Sequence, residues 1–143
     1  MRTIGEGGRE SEKKLYEKRE ELAERCYKRH GIDEEAAEEI LLGKMKEELD
    51  EIIGKPLAKV EERMLELAAV YGKLWIRMFK GEWMYYLKEN LEGALITKST
   101  CNNIYPLKKI TAYWHAERKG ILEDYAEEKQ RYEEHIKNRR RKR

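Results

Sequence analysis

Apolar side chains recur along most of this chain at intervals of three and four residues, the period of a helix with one buried face. A first stripe, Leu15, Leu22, Ala23 and Cys26, follows an N-cap candidate at Ser11 and runs to a glycine stop at Gly31. Asp33 then offers a second cap, with Glu34 and Glu35 placed where a helix dipole favours negative charge, and Ile40, Leu41, Met45, Leu49, Ile52 and Ile53 form the next stripe before Gly54 and Pro56. Pro56 opens a third helix carrying Leu57, Val60, Met64, Leu67, Ala68, Tyr71, Leu74, Trp75 and Met78, the strongest periodic signal present. Trp83, Met84, Tyr86, Leu87 and Leu91 extend the pattern to Gly93, with Gly72 or Gly81 expected to mark a kink or a close contact. The run from Ala94 to Asn103 is poor helix and good turn. Pro106 opens a fourth helix through Leu107, Ile110, Trp114, Ile121, Leu122, Tyr125 and Tyr132, with apolar positions thinning out past Tyr125 into a charged extension.

The pattern predicts an all-α fold: an elongated helical hairpin of two long helices over residues 56–136, a smaller N-terminal helical pair over 11–54, a disordered arm over 1–10, and a disordered basic C-terminal tail over 137–143. Composition sharpens this. Charged residues make up 42% of the chain, against a usual share of about a quarter, so much of it must face water. No apolar run approaches the roughly 18 residues that span a bilayer, and Met1 to Gly8 has no apolar stretch to enter a translocon. The expected place is therefore the cytoplasm, with Cys26 and Cys101 reduced and serving as packing residues. Lys137, Arg139, Arg140, Arg141, Lys142 and Arg143 put six positive charges in the last seven residues, and removing them from the +2 of the whole leaves the body at −4. A mildly acidic body with a strongly basic end suits a partner rich in phosphate or carboxylate, or simply a solubilising tail.

The residues that carry chemistry are dispersed. His30, His115 and His135 lie in three segments without a Cys-x-x-Cys or His-x-x-x-His pair, so no metal site is expected. Gly5-Glu6-Gly7-Gly8 lacks the Lys-Ser/Thr partner of a phosphate loop. No catalytic residue, cofactor or small-molecule substrate is indicated, because glutamates on charged helices are solvated or paired unless an apolar pocket perturbs them. Trp75, Trp83, Tyr85, Tyr86, Tyr113 and Trp114 alternate with Lys73, Arg77, Lys80, Lys88, Lys108, Lys109, Arg118 and Lys119. Such a mixture can stack bases and neutralise phosphates, but core aromatics ringed by snorkelling cations are the simpler reading.

The stretch from Glu62 to Tyr125 resembles the P27-type small subunits of phage terminases. The residues that carry the likeness are Leu67-Ala68-Ala69-Val70-Tyr71-Gly72-Lys73-Leu74-Trp75, then Leu91-Glu92-Gly93-Ala94-Leu95-Ile96, then Asn102-Asn103-Ile104-Tyr105-Pro106-Leu107-Lys108. In that family a long aromatic helix leads through a Glu/Gly turn and a brief extended segment to a polar Asn/Pro element and a second long helix. The usual Pro-containing segment after that second helix is absent here beyond Gly120, and the N-terminal region has no counterpart. The resemblance implies a non-catalytic protein that binds double-stranded viral DNA, forms a homo-oligomeric ring in the host cell cytoplasm, and regulates the large terminase subunit with its ATPase and nuclease. On charge, the expected DNA contacts are Lys13, Lys14, Lys18, Arg25, Lys28 and Arg29 together with Lys137, Arg139, Arg140, Arg141, Lys142 and Arg143. The expected oligomer interface is the long apolar stripe: Leu67, Tyr71, Leu74, Trp75, Met78, Ile110, Trp114 and Ile121. The alternative is a helical adaptor whose basic end docks on nucleic acid or an acidic protein.

Overall fold

The computed structural model describes residues 4–88, 91–98, 103–115 and 120–141. The fold is helical, as the stripes predict, with five helices among the described residues and three strands between the third and fourth. Helix α1 spans Ile4–His30 and is kinked at Lys18, where φ is −114°. Residues 4–10 are thus the first turns of a helix rather than a loose arm, and Ser11 is no cap but a mid-helix residue whose Oγ donates to Glu61 at 2.8 Å. Gly31 ends α1 at φ 65°, with its N–H on the Lys28 carbonyl and the Ile32 N–H on that of Tyr27, a pairing that satisfies the last free carbonyls.

Helix α2 spans Glu38–Ile52 with Ala37 as its N-cap, four residues later than the Asp33 cap predicts. The Asp33 side chain instead accepts the Glu35 N–H at 2.9 Å, closing a local turn that competes with the helix. Helix α3 spans Leu57–Phe79 with Pro56 as its N-cap. It does not continue to Gly93. Lys80 adopts a left-handed conformation, φ 55° and ψ 62°, and the chain leaves as strand β1, Gly81–Lys88. Strand β2, Leu91–Lys98, returns antiparallel, pairing Trp83 with Ile96 and Tyr85 with Ala94. Strand β3, Asn103–Ile104, adds to β2 through Ile96 and Ile104. The expected second long helix is divided in two at Gly120: α4, Pro106–His115, and α5, Ile121–Arg141. The backbone of residues 137–141 is thereby helical, not a loose tail, while Lys142 and Arg143, like Cys101 and residues 1–3, lie outside the described residues.

One core unites these elements. Leu15, Leu22, Ala23 and Cys26 of α1 are buried with Val60, Leu67, Ala68, Tyr71 and Trp75 of α3, and Met45, Leu49 and Ile52 of α2 join the same cluster. The N-terminal helices are therefore part of the main core and not a satellite lobe, since α1 lies along α3. Aromatic rings fill the far end: Trp75 sits 4.3 Å from Phe79 and 5.0 Å from Tyr125, and Phe79 meets Tyr132 at 4.8 Å between centroids. Gly72 is where α3 and β1 touch, because a Cβ there would lie 2.4 Å from the indole of Trp83. Its absence lets the strand dock.

This arrangement corrects the expected interface. Leu67, Tyr71, Leu74, Trp75, Ile110 and Ile121 are all buried within a single chain. Trp114 is half-buried and its indole N–H donates to the Ile52 carbonyl at 3.0 Å, which leaves only Met78 of that set exposed. The stripe is as apolar as the sequence indicates, but α1, α4 and α5 cover it.

Candidate functional site

Four of the α1 cations expected to meet DNA, Lys13, Lys14, Arg25 and Arg29, have acidic partners in the structure. Lys14 Nζ and Arg25 Nη1 reach Glu62 of α3 at 2.6 and 2.9 Å, and Lys13 lies 4.0 Å from Glu17. Four of the cations interleaved with aromatics are similarly occupied: Lys73 bridges Glu20 and Glu34, Arg77 donates to the Glu34 carbonyl, Lys108 pairs with Glu12, and Lys109 with Asp124. Trp75 and Tyr113 are buried packing groups, Trp83 and Trp114 pack against the core, and Tyr85 meets Tyr16 in a tilted contact at 5.6 Å. Lys18 and Lys28 are exposed on α1 and carry no ion pair among the described residues. At the other end, Lys137 is exposed, and the backbone of Arg139, Arg140 and Arg141 continues α5 past Tyr132, whose hydroxyl donates to the Phe79 carbonyl.

Arg29 has a different destination. Its guanidinium lies where α1, α2 and α3 meet, with Nε on Glu48 Oε1 and Nη2 on Glu48 Oε2, both at 2.8 Å, and Nη1 2.6 Å from Glu66. Glu48 has 0% of its side chain exposed, and it also meets His30 Nε2 at 2.7 Å and Arg63 Nε at 3.5 Å. Burial opposes the Arg29 charge, but the hydrogen bonds from Glu48 and Glu66 outweigh it and hold the guanidinium more firmly protonated. Two carboxylates and two guanidinium groups thus balance in a nearly closed junction. Beside them is the Cys26 thiol, pushed up to about 12, first by burial and then by the negative charge of Glu48. Cys26, His30 and Glu48 present one sulfur, one nitrogen and one oxygen within 4.8 Å of one another.

Sequence reasoning missed this junction, although it left two signals. Glu48 lies in phase with Met45 and Ile52 on the apolar stripe of α2, a place where a charge must be buried and paired. Cys26 and His30, four apart on α1, share one face.

A second polar network crosses the aromatic core. The Tyr71 and Tyr113 hydroxyls are 3.0 Å apart, Tyr113 donates to Asp124 at 2.5 Å, and Lys109 donates to the same Oδ2 at 2.8 Å. Burial pushes both tyrosines up, so they stay neutral donors. For Asp124 burial raises the pKa, but the Lys109 and Tyr113 donors outweigh it and hold the carboxyl below its ordinary value. A depressed carboxyl stabilises the fold above the ordinary carboxylate range, and that contribution disappears as pH falls through the folded value. Asp124→Asn is therefore expected to destabilise at neutral pH, with a difference from wild type that begins to shrink as pH enters the ordinary carboxylate range, about pH 4–5, and goes on shrinking as pH falls through the lower folded value. Denaturant unfolding at several pH values measures it, and a pH-independent difference contradicts the assignment.

Among the described residues no helix is long and apolar enough to cross a membrane. No family model, curated protein or solved structure matches the chain.

Proposed function

We propose that the chain is a non-catalytic DNA-binding protein of the terminase small-subunit kind, which contacts the duplex through the basic end of α5. The observation that carries this reading is the position of that end: the helical backbone of α5 runs on past Tyr132, which packs against the core, through Lys137 to Arg141, while Lys14, Arg25 and Arg29 of α1 are held in ion pairs with other helices. A helical run of guanidinium groups suits phosphate oxygens, each contact releasing condensed counterions. Lys18 and Lys28 offer a smaller, separate cationic surface. The sequence likeness to terminase small subunits adds the biological setting, namely viral DNA and a large subunit with ATPase and nuclease. Assembly into a ring would use exposed apolar groups such as Ile40, Ile53, Leu57, Met78, Met84 and Leu122 instead of the long stripe.

Binding to a duplex is expected to weaken by about two to three orders of magnitude between about 50 and about 200 mM salt. Truncation after Ile136 is expected to lower affinity at least about tenfold at the lower salt, since it removes six charges, with an unchanged far-ultraviolet circular dichroism signal per remaining helix. Fluorescence anisotropy with a labelled duplex measures both. Undetectable or salt-insensitive binding, or full affinity in the truncated chain, overturns the proposal in favour of a protein-binding adaptor. Light scattering decides the ring separately: a strict monomer at tens of micromolar removes the terminase setting and leaves DNA binding to stand on its own.

A further inference from the structure

The junction of α1, α2 and α3 holds a donor set that the ion pairs alone do not require. Cys26 and His30 project from one face of α1 a turn apart, and the αα-hairpin carries Glu48 of α2 against them. Ligand atoms around a tetrahedral zinc, with metal–ligand bonds of about 2.0–2.3 Å, stand roughly 3.3–3.8 Å from each other. Sulfur, nitrogen and oxygen atoms already within 4.8 Å need only small rotamer adjustments to reach that spacing.

We propose that Cys26, His30 and Glu48 form a binding site for a borderline-soft divalent cation, Zn²⁺ by preference. A thiolate, an imidazole and one carboxylate oxygen match that ion and are a poor match for Mg²⁺ or Ca²⁺, which demand oxygen ligands. The His30 Nε2 and Glu48 Oε1 atoms face each other across 2.7 Å, and the metal takes the place of the proton between them, opening the pair slightly. The Cys26 S–H bond breaks as a sulfur–metal bond forms, and both the thiol proton and the proton displaced from between His30 and Glu48 leave to solvent. Glu48 keeps its second oxygen on Arg29 Nη2, 2.8 Å away, with Arg63 Nε at 3.5 Å, so the carboxylate remains oriented from behind as metal-binding carboxylates ordinarily are. Arg29 yields its contact to Oε1 but retains Glu66 at 2.6 Å. Glu66 also offsets the added positive charge. His30, with 14% of its side chain exposed beside the Gly31 turn, is the edge through which the ion enters. Three protein ligands leave a fourth position for water.

The test uses the full chain, stripped with a chelator and titrated with Co²⁺ and then Zn²⁺. Expected are one equivalent of Co²⁺ with a thiolate-to-cobalt charge-transfer band in the near ultraviolet, displacement of that band by Zn²⁺, and a Tm that rises with Zn²⁺ concentration. Cys26→Ala should abolish the band and His30→Gln should weaken Zn²⁺ binding by more than about 100-fold, while Cys101→Ala changes neither. The two ligand variants perturb packing differently, so a folding failure in one leaves the other to decide. Absence of the band in the wild type, its survival in Cys26→Ala, its loss in Cys101→Ala, or Zn²⁺ affinity unchanged in His30→Gln overturns the proposal and leaves a buried thiol beside an ionic cluster.

Discussion

Replacing Glu48 by alanine is expected to cost about 3–5 kcal/mol of folding stability, because it strips the buried counter-charge from a nearly closed junction. Arg29 would keep Glu66 alone, Arg63 would keep Glu51, and His30 would lose its 2.7 Å partner. The loss arises less from the attraction removed than from the guanidinium groups left half-buried without compensation. Arg29→Ala should therefore be much less harmful in the Glu48→Ala background than in the wild type. A double-mutant cycle followed by denaturant unfolding should return a coupling of about 1–3 kcal/mol. Strict additivity would mean that Arg29 and Glu48 do not depend on each other.

Gly72→Ala and Gly43→Ala should have opposite signs although both place a better helix former in a helix interior. At Gly43, in α2, a Cβ meets nothing within 4 Å, so the substitution should stabilise by up to about 1 kcal/mol. At Gly72 the same methyl meets the Trp83 ring at 2.4 Å and Pro106 Cγ at 3.3 Å. Trp83 is held by β1 pairing and by the core, so it cannot swing aside freely. Overpacking of this kind costs about 1–3 kcal/mol, against a propensity gain of about 1 kcal/mol. With the overlap as close as 2.4 Å the cost falls at the upper end of that range, so the net expectation is a loss of about 1–2 kcal/mol and a Tm lower by about 3–8 °C, with tryptophan emission shifted to the red as the indole of Trp83 leaves α3. An unchanged spectrum and a raised Tm would show that the hairpin does not depend on this contact.

The helical class was legible because stripes such as Leu15, Leu22, Ala23 and Cys26 fix a period without reference to the rest of the chain. The end of α3 was not. Trp83, Met84, Tyr86 and Leu87 satisfy a helical spacing, while Trp83, Tyr85 and Leu87 satisfy a strand spacing equally well, and the choice is made by a partner, β2, that local periodicity does not contain. The apolar stripe of α3 was likewise visible, but its cover was not, since a stripe states how much must be hidden and not by what. Charge misled in a related way. Lys14, Arg25 and Arg29 look like a basic face in one dimension, and their acceptors Glu62, Glu48 and Glu66 lie on other helices. The junction itself was readable in part, through the phase of Glu48 and the four-residue interval between Cys26 and His30.

The pairing of α1 with α3 also has a consequence for synthesis. Ser11 and the Glu61 it bonds are 50 residues apart, so the buried side of the first helix leaves the ribosome well before the surface that will shelter it. At about 5–20 residues per second that interval lasts roughly 3–10 s, during which an isolated, marginally stable helix offers Leu15, Leu22 and Tyr27 to any passing chaperone or nascent neighbour.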